Sequence, residues 1–232
     1  MNKRYPLIFT AFLLVWPSAW ADDAYRSQRA AMVQTQIVAR GIKDEATIQA
    51  MRTVLRHLFV APAMIDSAYH DQPLPIGYGQ TISQPYIVAY MTELVRPKAA
   101  DRVLEIGAGS GYQAAVLAEI VNQVYTIEII PELGNATRDR LQKLGYRNIQ
   151  MRMADGYDGW PDQAPFDAIV VTAASEYIPP PLIRQLKDGG RMVIPIGSPF
   201  LVQTLMLVEK EKGNVKTTSL VPVRFVPFRR SP

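Results

Sequence analysis

From Asp101 onward the chain alternates two kinds of apolar spacing. Near-continuous apolar runs stand at 102–107 ("RVLEIG"), 124–129 ("VYTIEI"), 148–155 ("NIQMRMAD"), 166–174 ("FDAIVVTAA") and 191–197 ("RMVIPIG"). Between them lie segments of helical period: 110–121 ("SGYQAAVLAEIV"), 131–144 with Gly145 behind it, and 179–190 ("PPPLIRQLKDGG"). Strands that are apolar on both faces and alternate with helices predict an α/β fold, a mostly parallel, doubly wound sheet covered on both sides. The last run, 203–228, predicts a closing hairpin.

The N-terminal half is patterned differently. A helical period covers 25–39 and stops at Gly41; Asp44 is placed as the N-cap of a second helix reaching about Val54. Pro62, Pro73 and Pro75 interrupt regular structure. Pro85 fits the first turn of a helix with Ile87, Val88, Met91 and Leu94 on its apolar face, ended by Arg96-Pro97. The expected organisation is a helical lobe over 22–97, containing an uncharged Pro/Gly-rich loop at 73–85 ("PLPIGYGQTISQP"), and an α/β domain over 98–232.

Residues 1–21 resemble a secretory leader. Lys3 and Arg4 precede an apolar run to about Trp16, and Ala19-Trp20-Ala21 matches a small-x-small cleavage site. The expectation is export to the periplasm, with no membrane attachment once the leader is removed; a cytoplasmic protein is the alternative. Loss of Lys3 and Arg4 lowers the formal charge from +4 to +2. Such a balance, with no block of like charge, gives no reason to expect a nucleic-acid partner. The absence of cysteine excludes disulfides and thiolate chemistry, and His57 and His70 are too few for a usual histidine metal site, so no metal is expected.

The candidate chemistry sits at strand ends. "LEIGAGSGYQ" joins the first strand of the α/β domain to a helix, and Gly107, Gly109 and Gly111 permit a tight turn and close approach of a ligand to the backbone. About 20 residues on, Glu128 ends the next strand, where an acid can hold two ribose hydroxyls. The dinucleotide fingerprint is G-x-G-x-x-G; here the spacing is G-x-G-x-G, with Tyr112 in the expected glycine position. That spacing is similar to the S-adenosylmethionine methyltransferase loop. In that comparison Asp155, after the third strand, faces the adenine amine with Gly156 beside it, and Glu105 joins the cofactor set.

Together "RGIKDEATIQAMRTVLRHLFV", "AYHDQPLPIGYGQTISQPYIVAYMTEL", "VLEIGAGSGYQAAVLA", "LGYRNIQ", "ADGYDGWPDQAPFDAIVVTAA", "GGRMVIPIG" and "VRFVP" resemble one family, protein-L-isoaspartate (D-aspartate) O-methyltransferase. The segment "PIGYGQTISQP" is the most specific. The chain departs from the family pattern at Leu55, Ala108 and Ala154, usually Pro, Thr and Gly. The resemblance implies a Rossmann-like class I S-adenosylmethionine-dependent methyltransferase, acting as a monomer. It implies methyl transfer to the α-carboxyl of isoaspartyl residues in damaged peptides and proteins. Ser83 is then the residue that orients the acceptor, with Thr81 and Ile82 over the reacting centre and Gln80 lining the cofactor's methionine end. The rivals are methylation of a small molecule, a nicotinamide-dependent dehydrogenase, and a binding module without turnover.

That chemistry accounts for a site loop with no base. An α-carboxyl titrates near about 3.3–3.7, so the acceptor oxygen is ionised at neutral pH and no proton has to be removed. What remains is alignment and exclusion of water, and a stiff, uncharged segment with small hydroxyls suits both.

Overall fold

The computed structural model describes residues 24–198 and 200–231; the leader expected at 1–21 lies outside the described residues. Helix α1 (Arg26–Met32) continues as a π turn over Val33–Ile37 and a 3-10 turn over Val38–Arg40, ended by Gly41 at φ +95°. The helix expected over 25–39 is therefore helical throughout, but α-helical only in its first part. The wider turn places Met32 and Ile37, five apart, on one fully buried face. Helix α2 (Glu45–Thr53) starts as the sequence indicates: Asp44 Oδ2 accepts from the Thr47 amide at 2.7 Å.

The segment 73–85 is more ordered than the loop expected there. It folds as a hairpin of β1 (Leu74–Gly77) and β2 (Gln80–Ile82), with Tyr78 and Gly79 both at positive φ, as a two-residue hairpin turn requires. Helix α3 (Pro85–Val95) follows directly, with its proline in the first turn.

The remaining α-helices and strands are β3 (Arg102–Ile106), α4 (Tyr112–Ala118), β4 (Gln123–Glu128), α5 (Pro131–Lys143), β5 (Ile149–Met153), β6 (Phe166–Val171), α6 (Pro180–Gln185), β7 (Leu186–Ile196), β8 (Gln203–Glu211) and β9 (Asn214–Val223). Strand order is β5-β4-β3-β6-β7-β8-β9; the first five are parallel and the closing hairpin β8–β9 is antiparallel. The helix expected over 179–190 is shorter than its apolar pattern. Gly189 takes φ +82°, and a Cβ on Gly190 would stand 2.8 Å from the Asp167 carbonyl, so the "DGG" run is pressed against β6 as part of β7.

Alternate strand residues serve opposite faces. Val103, Val124, Ala168 and Val193 pack with Met91 and Val95 of α3, whereas Leu104, Ile127, Ile169 and Met192 pack with Leu182 of α6. A third cluster joins Met32, Ile37, Met51 and Phe59 to Tyr112 and Val116 of α4. After β3 the chain turns to β4 and β5 on one side; after β5 it crosses to β6 on the other. The crevice at the carboxyl ends of β3 and β6 is the place where such sheets bind ligands.

Candidate active site

The turn after β3 has the tight backbone that its glycines predicted. Gly107, Gly109 and Gly111 lie at φ +96°, +52° and +86°. Side chains there would also collide: a Cβ on Gly107 would meet Thr172 Oγ1 at 2.5 Å, and one on Gly111 would meet Thr137 Cγ2 at 2.9 Å. Thr172, just beyond β6, reaches back with its hydroxyl to the carbonyls of Gly107 (2.7 Å) and Ile106 (3.0 Å).

Glu128, at the end of β4, is almost fully buried and lines the cleft with Gly107 and Gly109. Its Oε2 accepts from the Gly109 amide at 2.8 Å; its Oε1 accepts from Ile129 and Ile130 at 2.9 and 3.0 Å. A carboxylate has about four acceptor positions, so three backbone bonds leave capacity for a ligand hydroxyl. Glu105, in β3, is completely buried beneath the glycine turn. Its Oε2 accepts from the Thr126 hydroxyl, and its Oε1 has no hydrogen-bond partner. Burial pushes its carboxyl up to about 8, with the Thr126 bond pulling down and the Glu128 carboxylate pushing further up.

The hairpin β1–β2 closes over this turn: Ile76 Cδ1 stands 3.4 Å from where a Gly109 side chain would begin. Gln80 and Thr81 line the cleft beside Glu128. Ile82 is buried, and with Ser83 it lines a second, small space beside the turn that is also lined by Glu105. On the outer side a groove runs past Thr81, Ser83 and Thr172 toward Val202, Arg224 and Phe225. Thr81 and Thr172 border all three spaces and so mark where they meet. Ser83 is not the cap of α3; Gln84 occupies the cap position, with no side-chain bond.

Asp155 is placed differently from the other expected residues. Gly156 lines the cleft, but the Asp155 carboxylate accepts from the Tyr157 amide (2.9 Å), Arg230 Nε (2.8 Å) and the Ser231 amide (2.9 Å). Burial raises its pKa, but these bonds outweigh that and hold it below the usual carboxylate range. The C-terminal tail thus crosses the cleft. Val226 and Phe228 exchange backbone bonds with Ala174 at 2.8 Å, and Arg229 donates to the Tyr78 carbonyl at 3.2 Å, tying the tail to the hairpin tip.

Thr172, Val226, Phe228 and Arg230 were not among the site residues expected from the sequence. Position offered a signal for Thr172, since it ends the strand next to β3 at the crossover. The family-like segment "VRFVP" contains Val226, but nothing local marks Phe228 or Arg230. His57 lies elsewhere, with Nδ1 2.7 Å from the Tyr69 hydroxyl and its ring against Tyr25. Among the described residues no three His, Cys, Asp or Glu side chains gather as a metal ligand set.

Comparison with known proteins agrees with this arrangement. The family model for protein-L-isoaspartate(D-aspartate) O-methyltransferase matches residues 27–231. The chain is 54% identical over 232 residues to the protein-L-isoaspartate O-methyltransferase of Opitutus terrae, covering 99% of each. It is 55% identical over 235 residues to protein-L-isoaspartate O-methyltransferase 1 of Nitrosospira multiformis, again covering 99% of each. Among solved structures, a protein-L-isoaspartate O-methyltransferase superposes with a TM-score of 0.78 at 28% identity, over 86% of this chain and 65% of that longer one. A Plasmodium falciparum beta-aspartate methyltransferase in complex with S-adenosyl-L-homocysteine superposes with a TM-score of 0.75 over 89% of this chain and 99% of that one; at 24% identity it bears on the fold alone. With a family match over nearly all of its described length and relatives above 50% identity, this chain belongs to the protein-L-isoaspartate(D-aspartate) O-methyltransferase family.

Proposed function

We propose that this chain is an S-adenosylmethionine-dependent carboxyl O-methyltransferase. It esterifies the α-carboxylate of L-isoaspartyl residues, with D-aspartyl residues as a second acceptor, and so starts the repair of damaged polypeptides. The observation that carries this reading is the meeting of the glycine-turn cleft and the outer groove at Thr81 and Thr172, beside Ser83, in a groove that among the described residues has no carboxylate and no histidine in its lining. An acceptor that arrives ionised needs no proton acceptor there, and a carboxylate in the groove would repel it.

The residues present fit the cofactor. Glu105 Oε1, buried and unpartnered, suits an α-ammonium; Glu128 has acceptor capacity left for a ribose hydroxyl; Gly107 and Gly109 expose backbone where a side chain would intrude. Gly156 and Phe228 wall the end of the cleft where an adenine would lie. When bound, S-adenosylmethionine supplies a methyl group on a cationic sulfur. Ser83 and Thr81 offer hydroxyl donors that fix the acceptor oxygen, and the hairpin and tail keep water out. In the resulting ester the neighbouring backbone nitrogen loses its proton and attacks the ester carbonyl, methanol leaves, and water reopens the succinimide so formed in part to normal aspartate.

The reading is tested by supplying methyl-labelled S-adenosylmethionine with an isoaspartyl peptide and its aspartyl twin. Label is expected on the isoaspartyl peptide alone; label on neither or on both overturns it. The same reading includes a monomer and, from the leader, export; N-terminal sequencing of protein from fractionated cells tests the latter.

A further inference from the structure

The outer groove has a feature that methyl transfer to a carboxylate does not require. Val202 lines it, and with the two residues before it in the chain forms three consecutive large apolar residues in the open: Phe200, Leu201 and Val202 are 89%, 68% and 52% exposed. They are not a loose tip. Gln203, 1% exposed, donates through Nε2 to the Ser198 carbonyl (3.0 Å) and the Leu201 carbonyl (2.8 Å), while its Oε1 accepts from the Phe225 amide at 2.9 Å. Leu201 closes a turn onto the Ser198 carbonyl at 3.1 Å. One buried amide, with three of its bonding positions used, therefore fixes the exposed triplet against the strand of tail that lines the groove. Keeping three large apolar side chains in water is unfavourable unless something covers them.

Continuity identifies the cover. Val202 and Phe225 line the same groove as Thr81, Ser83 and Thr172, and Thr81 and Thr172 also border the cofactor cleft. A polypeptide that presents its carboxylate at Ser83 must lie in this groove. The lining includes Ile87, Val223, Phe225 and Val202, with Arg224 the one ionisable side chain among the described residues. We infer that Phe200, Leu201 and Val202 form a subsite for an aromatic or large aliphatic side chain of the acceptor polypeptide, close in sequence to the isoaspartyl residue. The inference rests on the proposed isoaspartyl activity and adds a sequence preference to it. Unfolded segments, where apolar side chains are uncovered, would be favoured over polar loops of intact proteins.

The test uses the full chain and isoaspartyl heptapeptides with Phe or Ser placed one to three residues to either side of the damaged site. The wild-type enzyme is expected to show a KM about tenfold lower for Phe at one or more positions, a difference of about 1.4 kcal/mol. The double variant Phe200→Ser/Leu201→Ser, altered only at exposed positions, should lose this preference to within about twofold while keeping its kcat on the Ser peptides. A wild type that does not discriminate, or a variant that still does, overturns the subsite. So does sedimentation showing a wild-type dimer that the variant abolishes, or vesicle binding that the variant abolishes; these would assign the triplet to a second copy or to a membrane. Methylation of no isoaspartyl peptide, Ser-flanked ones included, is a different result and counts against the activity itself.

Discussion

The Gly109 amide donates to Glu128 Oε2 at 2.8 Å, so the acid that ends β4 holds the turn that follows β3. The two neighbouring parallel strands are thereby locked at the ends that shape the cleft. Replacing Glu128 by Ala removes the acceptor of three backbone N–H groups at once. An unsatisfied buried donor costs about 1–3 kcal/mol. Glu128→Ala is therefore expected to lower the melting temperature and to weaken S-adenosylhomocysteine binding at least about tenfold, a change of about 1.4 kcal/mol. Calorimetric titration and a thermal melt check both; unaltered affinity would remove Glu128 from the cofactor site.

Glu105 should make both stability and affinity depend on pH. Its carboxyl is raised from 4.5 to about 8 when folded, so the stability it contributes is present at low pH and is lost as pH rises toward 8. Glu105→Gln stays neutral throughout. The ligand-free variant should melt close to wild type at pH 5 and higher than wild type at pH 8, by about 2–4 °C for each kcal/mol relieved. A ligand ammonium favours the ionised form, so binding expels a proton. Wild-type affinity for S-adenosylhomocysteine should rise with pH up to about 8, by at most about tenfold per unit, and the variant should be flat. Identical pH profiles for the two proteins would contradict this.

Ser83→Ala separates orientation from binding. Loss of a positioning hydroxyl is expected to lower kcat on isoaspartyl peptide about ten- to hundredfold, with S-adenosylhomocysteine affinity within a few-fold of wild type. Steady-state kinetics and titration measure the two independently. A normal kcat would leave Ser83 without its assigned role.

Thr172 has a geometric task at the junction of the three spaces. Thr172→Val keeps the shape but loses the hydroxyl bond to the glycine turn, at an expected cost of about 0.5–1.5 kcal/mol. Cofactor affinity should fall with it. Thr172→Ser, which keeps the hydroxyl, should restore affinity; failure to do so would point to packing as the cause.

The Arg230–Asp155 pair is about half exposed on its arginine side, so it should add little to stability, about 0–1 kcal/mol. Its effect is expected in kinetics. Arg230→Ala frees the tail from Asp155, and stopped-flow dissociation of S-adenosylhomocysteine should become several-fold faster with an almost unchanged melting temperature. An unchanged release rate would show that the tail does not hold the cleft closed.

The order of strands and helices in the α/β part, the glycine turn and Glu128 at a strand end were legible in the sequence because each is a local pattern. Apolar runs, Asp44 before a helix, and glycines where φ must be positive act within a few residues of themselves. The hairpin at 74–82 was less legible: its turn needs Tyr78 at φ +54°, a conformation that a tyrosine's own preferences do not announce. The end of α6 was misplaced for a related reason, since Leu186 follows Leu182 by four residues and fits a helical period until pairing with Phe166 of β6 places it in a strand.

Tertiary structure alone decided what Asp155, Thr172 and Gln203 do. Asp155 is bonded by residues 75 and 76 positions away, Thr172 by carbonyls 65 and 66 positions away, and Gln203 by an amide 22 positions away. Hydrogen-bond energy depends on distances of about 3 Å between atoms, and side-chain type carries no information about which remote backbone group will be that close. The sequence by itself therefore determined the fold class and the family. Chain crossing and packing determined which polar groups are used up in holding the site and which remain for a ligand.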